Sequence, residues 1–261
     1  MRGRPNLYID YQKESSIFSN NTQKSWFGIL VTLSVAFCFL ATDYWILLLT
    51  TSFLIAIAGW GLNIVSGLAG QINLAHGVFI GVGTYASAVI GGVATSSVIG
   101  FEMDMIFWLP FAGIAAAVVG LIIAPITVKL KGLNLALVTL ALVFIGSHLF
   151  SNYKSVTGGA GLGRKVATLK IFGVNLERGI EIGTYYLQKN QILYLICLLT
   201  CILAGLGFKN LVRSRAGRAY SAIRDGDIAA EALGINLFRY KASAFALSSF
   251  YGGISLSLIH I

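Results

Sequence analysis

Seven apolar runs, separated by short polar stretches, set the layout of this chain. They cover about residues 26–41, 44–64, 72–93, 105–128, 133–150, 191–208 and 242–259. A helix crossing a hydrocarbon layer of about 30 Å needs roughly 20 consecutive apolar residues, and these runs have about that length. The pattern predicts an all-α, polytopic transmembrane helix bundle of about seven spans. Three polar stretches interrupt it: a leader over 1–25, a segment over 151–189 and a segment over 209–241. The leader reads as a region of its own. Residues 26–261 read as one membrane domain. A cleaved signal peptide is disfavoured, because the first apolar run leads at once into further membrane sequence.

The 209–241 segment does not alternate or repeat like a strand, and it is not merely polar. Ala219, Ala222, Ile223, Ile228, Ala232 and Leu233 are interleaved with its charges, which predicts two short amphipathic helices. The first is expected over about 216–224. The Asp225-Gly226-Asp227 break should end it, and Asp227 should cap the second helix by accepting from free first-turn amides. Gly234 should close that helix in the left-handed conformation that glycine adopts without steric cost. Ala229, Ala230 and Ala232 leave a low-relief surface suited to close packing. An ordinary cytoplasmic loop held at the membrane surface accounts for the same pattern.

Between the second and third runs, residues 66–71 carry no charge but hold two glycines. Irregular backbone at membrane depth is tolerated only where protein or water covers it, so a broken helix or tight turn, enclosed by other spans, is expected here. Gln71, Asn73 and His76 follow within the apolar stretch. Facing lipid would cost several kcal/mol each, so they should face an internal cavity or bond one another. Asn73 and His76, three apart, would share a helical face. A translocation pathway and interhelical hydrogen-bond glue both satisfy that requirement. A metal site lacks a second ligand at suitable spacing.

Composition agrees with the runs. Hydrophobic residues make up 56%, charged residues 11%, and mean hydropathy is +0.79. The net charge of +9 suggests nucleic acid only until its placement is considered. With a cytoplasmic N-terminus and alternating spans, four basic residues in the leader fall inside. Lys129, Lys131 and the seven basic residues from Lys209 to Lys241 join them, against six over 151–189 outside. That is the positive-inside bias, not a nucleic-acid footprint. Thirty glycines against three prolines fit close helix packing in a bilayer, and Gly77 with Gly81 forms a small-xxx-small pair. Cys38, Cys197 and Cys201 all lie in apolar runs and read as small buried hydrophobes.

Two stretches carry a family resemblance. GRAYSAIRDGDIAAEALGINLFRYKASAFALSSFYGG, from Gly217 onward, resembles the cytoplasmic signature of ABC-importer permeases for branched-chain amino acids, the LivH/LivM family, and within it the LivM type. Residues 67–85, GLAGQINLAHGVFIGVGTY, are similar to that family's G-x-A-G-Q-x-S-L-G-H-A-x-F-x-G-x-G-A-Y motif. Asn73 stands where the pattern has Ser, Ala75 for Gly, Gly77 for Ala and Thr84 for Ala. Residues 157–162 are similar to the family's external T-G-G-x-x-G-L segment with one residue fewer.

The resemblance implies a permease domain over 26–261 with 209–241 as its cytoplasmic coupling element, docked on a separate ATPase. The implied coupling residues are Gly217, Arg218, Ala219, Ala222, Ile223, Arg224, Asp225, Ala230, Glu231, Ala232 and Gly234. The implied substrate pathway holds Gln71, Asn73, His76 and Tyr85. The implied partners are a second homologous permease subunit, two ABC ATPase subunits and an extracytoplasmic substrate-binding protein, assembled in a bacterial plasma membrane. No cofactor is implied. Related permeases carry urea or short amides, and Gln71 and His76 fit the amino-acid branch by resemblance. The chain stops soon after its seventh run, where the family usually continues with further spans, so a short or truncated member is expected.

Other classes fare worse. No G-x-x-x-x-G-K-[ST] occurs to cradle ATP phosphates. Gly81-x-Gly83-x-x-Ala86 matches a dinucleotide fingerprint but lacks any βαβ context. No nucleophile, base or paired-carboxylate set supports a membrane enzyme. A stand-alone secondary transporter predicts an inverted repeat and embedded charges, and neither is evident.

Overall fold

Each apolar run becomes a helix, but two of the boundaries move in ways that matter. A computed structural model describes residues 18, 20–95, 98–130, 132–159, 164–165, 167–171, 173–176, 179–182 and 185–258. The helices are α1 Asn21–Leu40, α2 Asp43–Asn63, α3 His76–Gly91, α4 Met105–Lys129, α5 Gly132–Asn152, α6 Lys154–Thr157, α7 Lys189–Arg213, α8 Arg215–Asp225, α9 Asp227–Ala232 and α10 Leu237–Ser257. Most of the predicted leader lies outside the described residues, and its last residues, Lys24 among them, are already part of α1.

Five helical stretches among the described residues have the length and apolarity of a span: Asn21–Leu40, Asp43–Leu68, Met105–Lys129, Gly132–Asn152 and Lys189–Arg213. The chain is therefore a multi-pass membrane protein, and five of the seven predicted spans have this length and apolarity. α3 has 16 residues. At 1.5 Å per residue it covers about 24 Å, short of a hydrocarbon layer. α10 is long but rich in serine and carries Arg239 and Lys241.

This least apolar of the long helices is nevertheless the centre of the bundle. α10 packs on α4, α3 and α2. Ser248, Ser249, Ser255 and Ser257 are fully enclosed. Three of their hydroxyls donate back to the helix's own carbonyls, as Ser249 does to Phe245 at 2.8 Å. A buried serine that bonds to its own helix costs little and keeps the surface narrow, so backbones approach closely. A Cβ on Gly83 would strike the backbone of Gly253, and one on Gly113 would lie 2.8 Å from the Phe250 ring. The pair read from the sequence is different: Gly81 packs under Phe150, whereas Gly77 meets nothing. α2 also packs on α7, and α7 holds α1, with Tyr194 donating to the Ser34 carbonyl at 3.0 Å. Cys38 and Cys197 are buried and Cys201 half-buried, all as free thiols.

Two antiparallel hairpins, β1 Lys170–Ile171 with β2 Val174–Asn175 and β3 Ile180–Ile182 with β4 Tyr185–Leu187, interrupt the otherwise helical fold. They belong to the 151–189 segment, at the α3 C-terminal end of the bundle. There the Thr168 amide donates to the Gly91 carbonyl at 3.2 Å, and Lys170 pairs with Glu102 at 3.7 Å.

Candidate functional site

The helix break expected near 66–71 is present, and its geometry is specific. α2 passes into one π-helical turn, Ile64–Leu68. The Gln71 amide then donates to the Val65 carbonyl at 3.0 Å, and residues 69–75 run without helical structure until α3 begins. This corrects the expected start of the third span at 72. Asn73 does not share a helical face with His76. It precedes the helix, and its Oδ1 accepts from the Ala75 amide at 3.0 Å.

Gln71, Asn73 and His76 are buried here. His76 is wedged between α2 and α10. Its Nε2 lies 3.0 Å from the Ala58 carbonyl, and its Cε1 lies 3.2 Å from where a Cβ on Gly252 would stand. A carbonyl can only accept, so Nε2 is the donor and Nδ1 keeps a free lone pair. Among the described residues, His76 Nδ1, Asn73 Nδ2 and both amide atoms of Gln71 have no hydrogen-bond partner. Each buried orphan of this kind costs about 1–3 kcal/mol. Four of them within six residues mark a place where the fold gives up stability. Glue alone does not explain them, because only the Ala58 contact joins two helices.

Tyr85 is not part of this cluster. It lies nine residues further along α3, about 14 Å away along the axis. Its ring stands 5.0 Å from that of Phe150, in a separate cleft of 420 Å³ that Tyr153 and Thr157 also line. Part of the glycine-rich stretch at 157–162 lies outside the described residues. Among the described residues, no three His, Cys, Asp or Glu side chains converge to hold a metal.

The second candidate region sits at the same end of the bundle. α8 is capped by Ser214, whose Oγ accepts from the Gly217 amide at 3.2 Å. α7 runs on to Arg213 and α10 starts at Leu237, so the independent part of the predicted 209–241 insertion is only 214–236. Gly234 closes α9 with φ +82°, as the sequence required. The predicted cap on α9 differs. Gly226 takes the cap position, and Asp227 instead receives Lys241 Nζ at 2.8 Å. Both side chains are largely enclosed, at 13% and 5% exposure. A buried ammonium needs a carboxylate more than solvated helix amides do.

Of the predicted coupling residues, Gly217, Ala219, Ile223 and Ala230 are turned inward. A Cβ on Gly217 would strike the carbonyls of Leu211 and Val212, so this glycine serves the turn between α7 and α8, not an outer surface. Ala222 is half-buried, and Arg218, Arg224, Asp225, Glu231, Ala232 and Gly234 are exposed. Two residues outside that set stand out. Ile228 is 83% exposed and Leu233 79% exposed, flanking Glu231 and Ala232. They were visible in the sequence as apolar residues in a polar segment, but only the helix phase shows that they point outward. Tyr220 is buried and donates to Ser243, because the Ser243 hydroxyl itself donates to the Tyr240 carbonyl. Burial pushes the Tyr220 phenol up, so it stays protonated.

The two regions meet. A cavity of 480 Å³ lies between them, lined by Ala69, Gly70 and Gln71 on one side and by Arg224, Asp227 and Lys241 on the other.

Comparison with known proteins follows the same outline. Residues 44–258 match the family described as "Branched-chain amino acid transport system / permease component". The "High-affinity branched-chain amino acid transport system permease protein LivM" of Escherichia coli strain K12 is 30% identical over 250 residues, which cover 90% of this chain and 57% of that protein. The protein of the same name from Salmonella typhimurium strain LT2 is 29% identical over 250 residues, with the same coverage. This chain thus spans little more than half the length of these relatives. No solved structure matches it.

Proposed function

The chain belongs to the permease components of branched-chain amino acid transport systems, and from that premise we propose that it forms half of the membrane pathway of an ATP-driven importer for leucine, isoleucine and valine. The observation that carries this reading is the break at 64–75, where Gln71, Asn73 and His76 keep four polar atoms without a partner among the described residues, inside an apolar bundle. A zwitterion crossing the membrane needs such groups to replace its lost hydration, whereas a purely structural turn would satisfy them. The names of the relatives support branched-chain amino acids over urea or short amides, and a permease subunit over a stand-alone transporter.

In this reading the chain pairs with a second, homologous permease in the plasma membrane. Two ABC ATPase subunits bind from the cytoplasm, and an extracytoplasmic binding protein delivers substrate. The N-terminus and 214–236 face the cytoplasm, and 151–189 faces outside. The outer face of α9 meets the ATPase: Ile228 and Leu233 supply apolar contact, Ala229 and Ala232 let it come close, and Glu231 supplies charge. Hydrolysis takes place on the partners.

The pathway is tested by uptake of radiolabelled leucine in cells carrying the whole transporter. His76→Leu removes the only ring that joins α2 to α3 through Ala58, and Gln71→Leu removes two orphan atoms without breaking any bond. Gln71→Leu should therefore raise thermal stability slightly and cut uptake at least tenfold. Normal uptake by Gln71→Leu in a correctly assembled complex would remove Gln71 from the pathway.

A further inference from the structure

Arg224 is the only described side chain of α8 shown bonding to the backbone of the break. Its Nη1 donates to the Gly67 carbonyl at 3.1 Å, and its Nε lies 3.2 Å from Asp225 Oδ1, which steadies the guanidinium. Gly67 lies within the π turn that ends the helical run Asp43–Leu68. The final carbonyls of such a run have no intrahelical donor and carry the negative end of its dipole, so a cation there is doubly favoured. Gly70, with φ +65°, brings the backbone against the same side chain. A Cβ at this position would lie 2.6 Å from Arg224 Cγ and 3.1 Å from its Cβ. Gln71 is the next residue, and its buried side-chain carboxamide has no partner among the described residues.

We propose that Arg224 is a positioning residue that fastens the break to α8, so that a displacement of the coupling segment is passed directly to Gln71. The resemblance assigns Arg224 to the contact with the ATPase; its side chain is partly exposed, but the hydrogen bond to Gly67 and the contact with Gly70 are internal. The proposal rests on the permease reading above. It divides the labour within 214–236. The outer face of α9 holds the partner, and the last turn of α8 moves the pathway. The conformational link is one charged hydrogen bond plus a close backbone contact that only glycine at position 70 allows.

The test uses the assembled transporter with its ATPase and binding-protein partners in proteoliposomes, and reads leucine taken up per ATP hydrolysed. Arg224→Gln should keep its ATPase subunits and most of its hydrolysis, while uptake per ATP falls about tenfold, the factor that corresponds to 1.4 kcal/mol. Arg224→Lys keeps a cation at the helix end and should recover part of the loss. Gly70→Ala adds a methyl that would meet Arg224 Cγ and Cβ, so it should lower the same ratio while leaving the exposed face of α9 and the bound ATPase subunits unchanged. Loss of the ATPase subunits from Arg224→Gln would make Arg224 a docking contact and overturn the proposal. So would an unchanged ratio in Arg224→Gln, or in Gly70→Ala. If the unaltered assembly shows no ATP-dependent uptake, the permease reading itself fails, and this proposal with it. Normal coupling there, with an indifferent Arg224→Gln, defeats this proposal alone.

Discussion

Replacing Asp227 by Asn tests whether one ion pair holds α9 in place. Lys241 Nζ and Asp227 Oδ2 are 2.8 Å apart, and the lysine side chain is 5% exposed. Removing one partner of a buried pair costs about 3–5 kcal/mol, because the other charge stays buried without compensation. Asparagine still offers an oxygen to the ammonium, and we take this to restore roughly 1 kcal/mol, the net worth of an ordinary hydrogen bond. The net loss is then about 2–4 kcal/mol. It should fall first on α9, a six-residue helix in which Asp227 and Ala230 are the residues turned inward. Hydrogen exchange read by mass spectrometry over 226–236 measures the opening directly. The amides of Ala230, Leu233 and Ile235 donate within the segment at 2.9, 3.1 and 3.1 Å and should be protected in the unaltered chain. In Asp227→Asn they should exchange roughly 30 to 900 times faster, the factor for 2–4 kcal/mol, while the amides of α10 beyond Ser248 stay as before. Adding Lys241→Met removes the stranded charge and should recover most of the protection. Protection within threefold of the original in the single variant, or a double variant as open as the single, would refute the argument.

The remaining predictions concern topology, docking and the α7–α8 turn. An impermeant maleimide applied to intact cells should label Ser155→Cys but not Ile228→Cys, and inverted vesicles should give the opposite result. Ile228→Asp and Glu231→Lys change exposed positions, so membrane levels should be normal while bound ATPase falls at least tenfold, as pull-down shows. Gly217→Ala should act differently. Its new methyl meets two carbonyls of the same chain, an overpacking worth about 1–3 kcal/mol, and the yield of folded protein should drop before any effect on the partner appears.

The apolar runs by themselves determined that this is a helical membrane protein, and where most helices lie, because helix length and hydropathy follow directly from the thickness of a bilayer. The uncharged glycine-rich stretch at 66–71 announced a break, and Gly234 announced the end of α9, because each depends on local backbone chemistry. What depends on contacts between distant residues was not legible. The sequence read Asp227 as a helix cap, since nothing local shows that Lys241, fourteen residues on, is buried within its reach. It placed Asn73 on a helix, because hydropathy does not show that the seven residues after the π turn stay non-helical. It treated Gly217 and Ala230 as parts of an outer surface, although the fold turns both inward, and it gave no special place to Ile228 and Leu233, which the fold turns outward. It ranked the serine-rich final helix as one span among seven, whereas small residues allow the closest approach of backbones and so put that helix at the centre of the bundle. The tertiary structure alone brought Arg224 to the Gly67 carbonyl, 157 residues away in the chain. A helix end left without donors takes the nearest cation, and only packing decides which cation that is.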